Sequence, residues 1–378
     1  MKLLNVFKIS FLVISILSNS VAFCQFSDSI KLNDIRIIAS HNSYKKKPDP
    51  KLLKFLGHFK KQLGEDLNPI QLDYGHALLT QQMDEFGVRG FEFDLAYDPF
   101  GGAYTKRRLN FFVPGLKQKT KDTNMQNPGF KLLHIADVDY ESNYPTFISA
   151  LEEINTWSNN HPSHLPLYVN LEIKREAPGD YSKFLRFLGF QKAPKTDSTV
   201  FLEIHKEIIE VFGDKMDKLL KPKELKGSFH SVNERLLVDG WPKLNDCLGK
   251  IIFIIDGDID GYYLNQLNNG ADLPLFIYTE PNQSCCAFVI RNNPLNKEKE
   301  IKELSNYYIV RTRSDAGTIE ARENNYTVFN AAIASEAQII STDYYRADLS
   351  LSAYEIKFSP NVKNETPIFL LRNKFSKE

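Results

Sequence analysis

The sequence predicts an α/β fold, a distorted TIM-type (β/α)8 barrel with insertions, and three observations carry that prediction. Short runs rich in β-branched and aromatic residues recur eight times along the chain. Several are apolar nearly throughout, as parallel strands covered on both faces must be. Between them lie stretches whose apolar residues recur at helical spacing, such as TFISALEEINTWSNN (146–160) and STVFLEIHKEIIEVFGDKM (198–216). Taken in order, the predicted strands are IRIIASH (35–41), GFEFDLAY (90–97), FKLLHIA (130–136), LPLYVNLEIK (165–174), KIIFIIDG (250–257), CAFVIRN (286–292), YYIVRTR (307–313) and AQIISTDYY (337–345). Their spacing is uneven, above all from 175 to 249, which predicts insertions. A doubly wound open sheet is the competing arrangement, but no Gly-rich phosphate loop follows the first run.

Composition narrows the class of function. The 378 residues are 42% hydrophobic, 12% aromatic and 25% charged, ordinary for a folded chain with a substantial core. Lys+Arg and Asp+Glu stand at 47 each, so no global field steers the protein toward nucleic acid, and anion recognition must be local. At the amino terminus, Lys2 and Lys8 precede an apolar stretch over 9–17 that is too short to span a bilayer comfortably. Small and polar residues follow, so 1–24 reads as a signal peptide and 25–378 as a single barrel domain, secreted or periplasmic and monomeric. Lipid anchoring at Cys24 is less favoured, because Phe23 sits where such a signal prefers a small residue. Cys247, Cys285 and Cys286 remain, and one disulfide with a free thiol or three buried thiols are both open.

Polar residues gather where the first four predicted strands end. His41 and Asn42 close the first, Glu92 and Asp94 sit in the second, His134 closes the third, and Glu172 with Lys174 closes the fourth. In a parallel barrel those ends share one face, where catalytic residues collect. Strand alternation points Glu92 and Asp94 to the same side, and two adjacent carboxylates repel unless a cation lies between them. A lone histidine at a strand end is more often structural, and His58, His76, His161, His164, His205 and His230 are read so. The conjunction at four strand ends is what raises His41 and His134 above that reading, to a site of two histidines, an amide, three carboxylates and a lysine.

The motifs SHNSY, RGFEFDL, LLHIAD, NLEIK, VRTRSDAGTIEAR and AQIISTDYY, from about 35 to 345, resemble the calcium-dependent phosphoinositide-specific phospholipase C family in its secreted bacterial form. The resemblance implies that His41 and His134 are the catalytic pair and that Asn42, Glu92, Asp94 and Glu172 bind Ca2+. Metal-independent relatives carry an arginine where Asp94 stands. Three carboxylates and an amide oxygen form a hard all-oxygen set that suits calcium. The implied reaction is intramolecular attack of an inositol hydroxyl on the phosphodiester, with diacylglycerol as leaving group. In that scheme His41 faces the phosphoryl oxygen, His134 protonates the leaving group, and Glu92 or Glu172 takes the nucleophile's proton.

Three further residues are candidate substrate contacts. Lys174 either holds a phosphate oxygen or pairs with Glu172; Arg313, alternating with Arg311, either forks onto a phosphate or pairs with Asp315 or Glu320. Asp343 either meets a substrate hydroxyl or fixes a neighbouring arginine. SYKKKP (43–48) and TKRRLNFFVPGLKQK (105–119) mix cations with aromatics, as loops in transient contact with an anionic phospholipid surface do, or as ordinary solvated insertions do. Two alternatives remain: a glycerophosphodiester phosphodiesterase, which favours HRG where HNSY stands here, and a non-catalytic barrel that grips anionic headgroups or glycans.

Overall fold

The structure, a computed structural model, describes residues 26–58, 68–196, 199–214, 216–257, 261–358 and 369–372; the expected signal peptide lies outside them. Among the described residues ten strands form: β1 (Ile35–Ser40), β2 (Gly90–Ala96), β3 (Lys131–Leu132), β4 (Leu167–Ile173), β5 (Ile251–Asp256), β6 (Leu275–Ile277), β7 (Phe288–Ile290), β8 (Ile309–Arg313), β9 (Ile339–Thr342) and β10 (Phe369–Leu371). Eight of them run parallel in the order β6-β5-β4-β2-β1-β9-β8-β7. A single parallel bridge, Tyr278 to Phe288, links β6 to β7 and brings the barrel nearly to closure.

Alternation along these strands separates a dry half from a charged half. The inward positions begin apolar: Ile37 and Ala39, Tyr168, Ile252 and Ile254, Ile309 and Ile339 pack together in the barrel interior. Two residues further on, the same face turns polar in strand after strand, at His41, Glu92 and Asp94, Asn170 and Glu172, Asp256, Arg311 and Arg313, Ser341 and Asp343. Register fixes the levels. Asp94 pairs with Glu172, which pairs with Asp256, so three carboxylates lie side by side on neighbouring strands. Gly90 sits where β1 and β2 approach closely: a Cβ there would lie 2.5 Å from the Ala39 Cβ. The outward alternates, Phe91, Phe93, Val169, Leu171, Phe253 and Ile255, pack beneath the helices Phe147–Asn160 and Thr199–Phe212, both of which the apolar spacing predicts.

One predicted strand needs correction and one barrel strand was not predicted. The run 130–136 supplies only β3, which pairs antiparallel with the end of β2 outside the barrel. Its apolar residues imitate a barrel strand because they are shared between clusters: Phe130 and Leu132 join the core beneath the helices, while Leu133 and Ala136 join a satellite cluster with Ala96, Tyr104 and Met125. The eighth barrel strand is instead β6, three residues behind Pro274, too short to declare itself by pattern. The long interval from 175 to 249 is helical insertion, as expected, and the three cysteines are free thiols.

Candidate active site

The site stands on the charged mouth of the barrel, over a cleft of about 1050 Å3 lined by His41, Asn42, Asp94, His134, Glu172 and Lys174, with Asp256, Arg313 and Asp343 among the remaining walls. The chain leaves β1 through Asn42 at φ 50°, a left-handed conformation that asparagine tolerates better than most side chains. The turn is clamped to β2: the Ser43 N–H donates to the Glu92 carbonyl at 2.9 Å, and the Glu92 N–H donates back to Ser43 Oγ at 2.8 Å. His76 Nε2 donates to the His41 carbonyl at 2.7 Å, so His76 is structural, as expected, but serves the site from below.

The two histidines differ in their surroundings. Arg313 faces His41 Nε2 and can only donate, so Nε2 accepts and Nδ1 carries the proton, which it donates to Asp343 Oδ1 at 2.8 Å. Burial, reinforced by Arg313, holds the His41 imidazole well below its ordinary range. Burial likewise pushes the Asp343 carboxyl up to about 7. His134 does not close a barrel strand, correcting that expectation; it lies in a loop past β3 that folds back so that Nδ1 meets Asp139 Oδ2 at 2.9 Å. Burial would raise Asp139, but the Lys45 ammonium and the His134 imidazole together outweigh it and keep the carboxyl below the usual range. His134 Nε2 makes no hydrogen bond to a described residue, and the ring lines the cleft.

Glu92, Asp94 and Glu172 bring oxygens within 4.8 Å of one another. Lys174 lies between two of them, 2.9 Å from Asp94 Oδ2 and 2.9 Å from Glu172 Oε1, while Arg311 pairs with Glu92. Of the two readings of Lys174, the structure shows the ion pair; Arg313 pairs with neither Asp315 nor Glu320 but with His41. Burial pushes Asp94 up to about 6, with Glu172 adding to the rise and Lys174 opposing it. The residues present fit a hard cation. The Asn42 amide lies against both Asp94 oxygens, donating to each through Nδ2 at 3.2 Å while its oxygen accepts from Tyr74 Oη at 2.8 Å. Three carboxylates that bring oxygens this close together form the hard donor set, and the Asn42 amide, turned over, would offer a fourth oxygen to the same cation.

Asp256 was missed by reading strand ends for histidines and acid pairs, although the alternation that finds Asp94 also finds it after Ile252 and Ile254. Lys45 and Asp139 carry no such signal. Lys45 is fully buried, so the lipid-facing reading of SYKKKP fails at that residue.

A parallel barrel with carboxylate-backed histidines and a cluster of acids at its carboxyl mouth defines a class, the barrel enzymes that act at that mouth. Residues 30–366 match the family model described as phosphoinositide phospholipase C, Ca2+-dependent, and the chain belongs to that family. It is accordingly a phosphoinositide-specific phospholipase C with calcium as its cofactor, which sets aside the glycerophosphodiesterase and the non-catalytic barrel. Similar solved structures include the calcium-dependent phosphoinositol-specific phospholipase C of a Pseudomonas species, 15% identical with TM-score 0.48 over 87% of this chain and 94% of that one. The Ca2+-dependent enzyme of Streptomyces antibioticus is 15% identical, TM-score 0.46, over 84% and 96%. The phosphatidylinositol-specific enzyme of Listeria monocytogenes is 10% identical, TM-score 0.45, over 84% and 91%. No curated protein matches the chain.

Proposed function

We propose that the protein cleaves phosphatidylinositol-type lipids by acid-base catalysis between His41 and His134, releasing diacylglycerol and a cyclic inositol phosphate. The observation that carries this reading is the pair of carboxylate-backed histidines beside an all-oxygen cluster in one cleft. Asn42, Glu92, Asp94 and Glu172 would hold calcium, which when bound acidifies a headgroup hydroxyl and offsets phosphoryl charge. Glu92 or Glu172 takes the proton of the hydroxyl next to the phosphodiester. As the new P–O bond forms and the bond to the diacylglycerol oxygen breaks, His134 gives its Nε2 proton to that oxygen. The imidazole is positioned for this by Asp139 at Nδ1. His41 and Arg313 act as a unit toward the phosphoryl oxygens, since in this structure the guanidinium supplies the proton that His41 Nε2 accepts. An export leader over 1–24 fits an enzyme that meets lipids outside its own cell.

Leaving-group chemistry tests the roles. On phosphatidylinositol, whose alkoxide is strongly basic, His134→Ala should lose about 10²- to 10⁴-fold in kcat, and a nitrophenyl phosphodiester should recover most of it. His41→Ala should stay impaired on both. Rescue of His41→Ala alone would reverse the assignment.

A further inference from the structure

Lys45 is among the most deeply buried residues of the chain, yet the sequence places it in a cationic loop. Its ammonium has three donors, and all are used. Two go to backbone carbonyls, Leu72 and Tyr74, each at 2.8 Å. The third direction holds Asp139 Oδ2 at 3.3 Å, both side chains being 1% exposed. That same oxygen meets His134 Nδ1, while Asp139 Oδ1 is buried with no partner. Among the described residues the carboxylate side chain therefore has two polar partners, a cation on one side and an imidazole on the other. The ammonium also lies 4.2 Å over the ring of Tyr74, whose Oη touches the Asn42 side chain at 2.8 Å.

We propose that Lys45 is a positioning residue for His134, keeping Asp139 ionised so that the carboxylate holds Nδ1–H, orients the ring and favours the doubly protonated imidazole whose Nε2–H faces the leaving group. The proposal rests on the acid role given to His134 above. Without the ammonium, a carboxylate buried beside one imidazole loses its compensating charge and takes up a proton instead. A protonated Asp139 no longer stabilises the imidazolium, so the ring rests neutral, and the Nε2–H of a neutral imidazole is far too weak an acid to protonate the leaving oxygen. The lysine acts at one remove, and its loss should resemble a weakened loss of His134. A clamp that merely tied 72–74 to the turn after β1 would instead disturb every substrate equally.

The test uses the full chain with saturating calcium and two substrates, phosphatidylinositol and a nitrophenyl inositol phosphodiester. Lys45→Met should lower kcat on phosphatidylinositol by about 10- to 100-fold and on the nitrophenyl ester by a few-fold at most. Asp139→Asn, close to isosteric, should show the same split and serves if Lys45→Met does not fold. The double variant Lys45→Met with His134→Ala should be no slower than His134→Ala alone, because the lysine then has nothing left to position. Equal losses on both substrates, or multiplicative losses in the double variant, overturn the proposal while leaving the acid role intact. If His134→Ala itself is not rescued by the nitrophenyl ester, the acid role falls, and this proposal with it.

Discussion

Asn42 meets two requirements at one position: a left-handed backbone at φ 50° and an amide that lies against Asp94, where its oxygen can serve a cation. Substitutions can separate them. Asn42→Gly accepts the backbone but has no oxygen, whereas Asn42→Ala also strains the turn by about 1 kcal/mol. Both variants should need more calcium for half-maximal activity, and only the alanine should melt earlier; equal melting temperatures would show that the turn is not strained. Away from the site, Glu207 is buried, accepts from the Phe130 N–H at 2.8 Å through one oxygen, and leaves the other unpartnered. Burial pushes its carboxyl from 4.5 up to about 7. The folded chain thus binds a proton that the unfolded chain releases at lower pH. The contribution is fully present below about pH 4.5 and is lost as pH rises through 7, a swing of at most about 3 kcal/mol. Glu207→Gln should be more stable than the parent at pH 8 by a part of that amount, with the gap closing toward pH 4.5. Parallel urea midpoints across that range would refute it.

At the scale of elements, the rim of the cleft differs from what the basic loop over 105–119 suggests. Phe112 stacks on Phe190 at 6.4 Å between ring centroids, and Arg108 lies 4.5 Å over Phe111, so these aromatics are partly engaged. The helix Lys183–Phe187 next to them carries Phe184 and Phe187 at 66% and 84% exposure, while its Leu185 and the preceding Tyr181 line the cleft. If this rim meets the bilayer, Phe184→Ser with Phe187→Ser should weaken vesicle binding about tenfold or more and spare a soluble short-chain substrate. Phe111→Ser with Phe112→Ser should cost both substrates, through lost packing. Equal losses from the first pair would exclude membrane docking by this helix. The same scale explains what could be read in the sequence. Period-two alternation places Glu92, Asp94, Glu172, Arg313 and Asp343 because each continues the inward face of a strand whose lower half is apolar. His134 obeys no such rule: it arrives on a folded-back loop, and its place depends on Asp139, just past the strand that seemed to carry it, and on Lys45, far away in the chain. Likewise β6 is three residues long, and only its neighbours β5 and β7 reveal it.

At the scale of the whole molecule, a chain with no net charge concentrates five acids at the barrel mouth, Glu92, Asp94, Glu172, Asp256 and Asp343, against three cations, Lys174, Arg311 and Arg313. The sequence alone suggests that the calcium ligands would be stranded without their ion. The structure corrects this, since Lys174 and Arg311 already neutralise part of the cluster. The metal-free protein should therefore fold, and calcium should add stability by mass action rather than act as a condition of folding. At a free concentration of 100 Kd the gain is about 2.7 kcal/mol, which for a chain of this length raises Tm by about 4 °C. EGTA should then abolish turnover while leaving the circular dichroism spectrum unchanged, and added calcium should restore both activity and the higher Tm. Asp94→Asn removes one ligand charge with little change of shape, so its Tm should respond only at much higher calcium. Magnesium, which prefers a rigid octahedron and keeps its waters, should give neither effect at the same concentration. Full activity in EGTA would remove the metal from the mechanism. A chain that unfolds in EGTA would show that Lys174 and Arg311 do not compensate the acids, and that the ion belongs to the fold as much as to the chemistry.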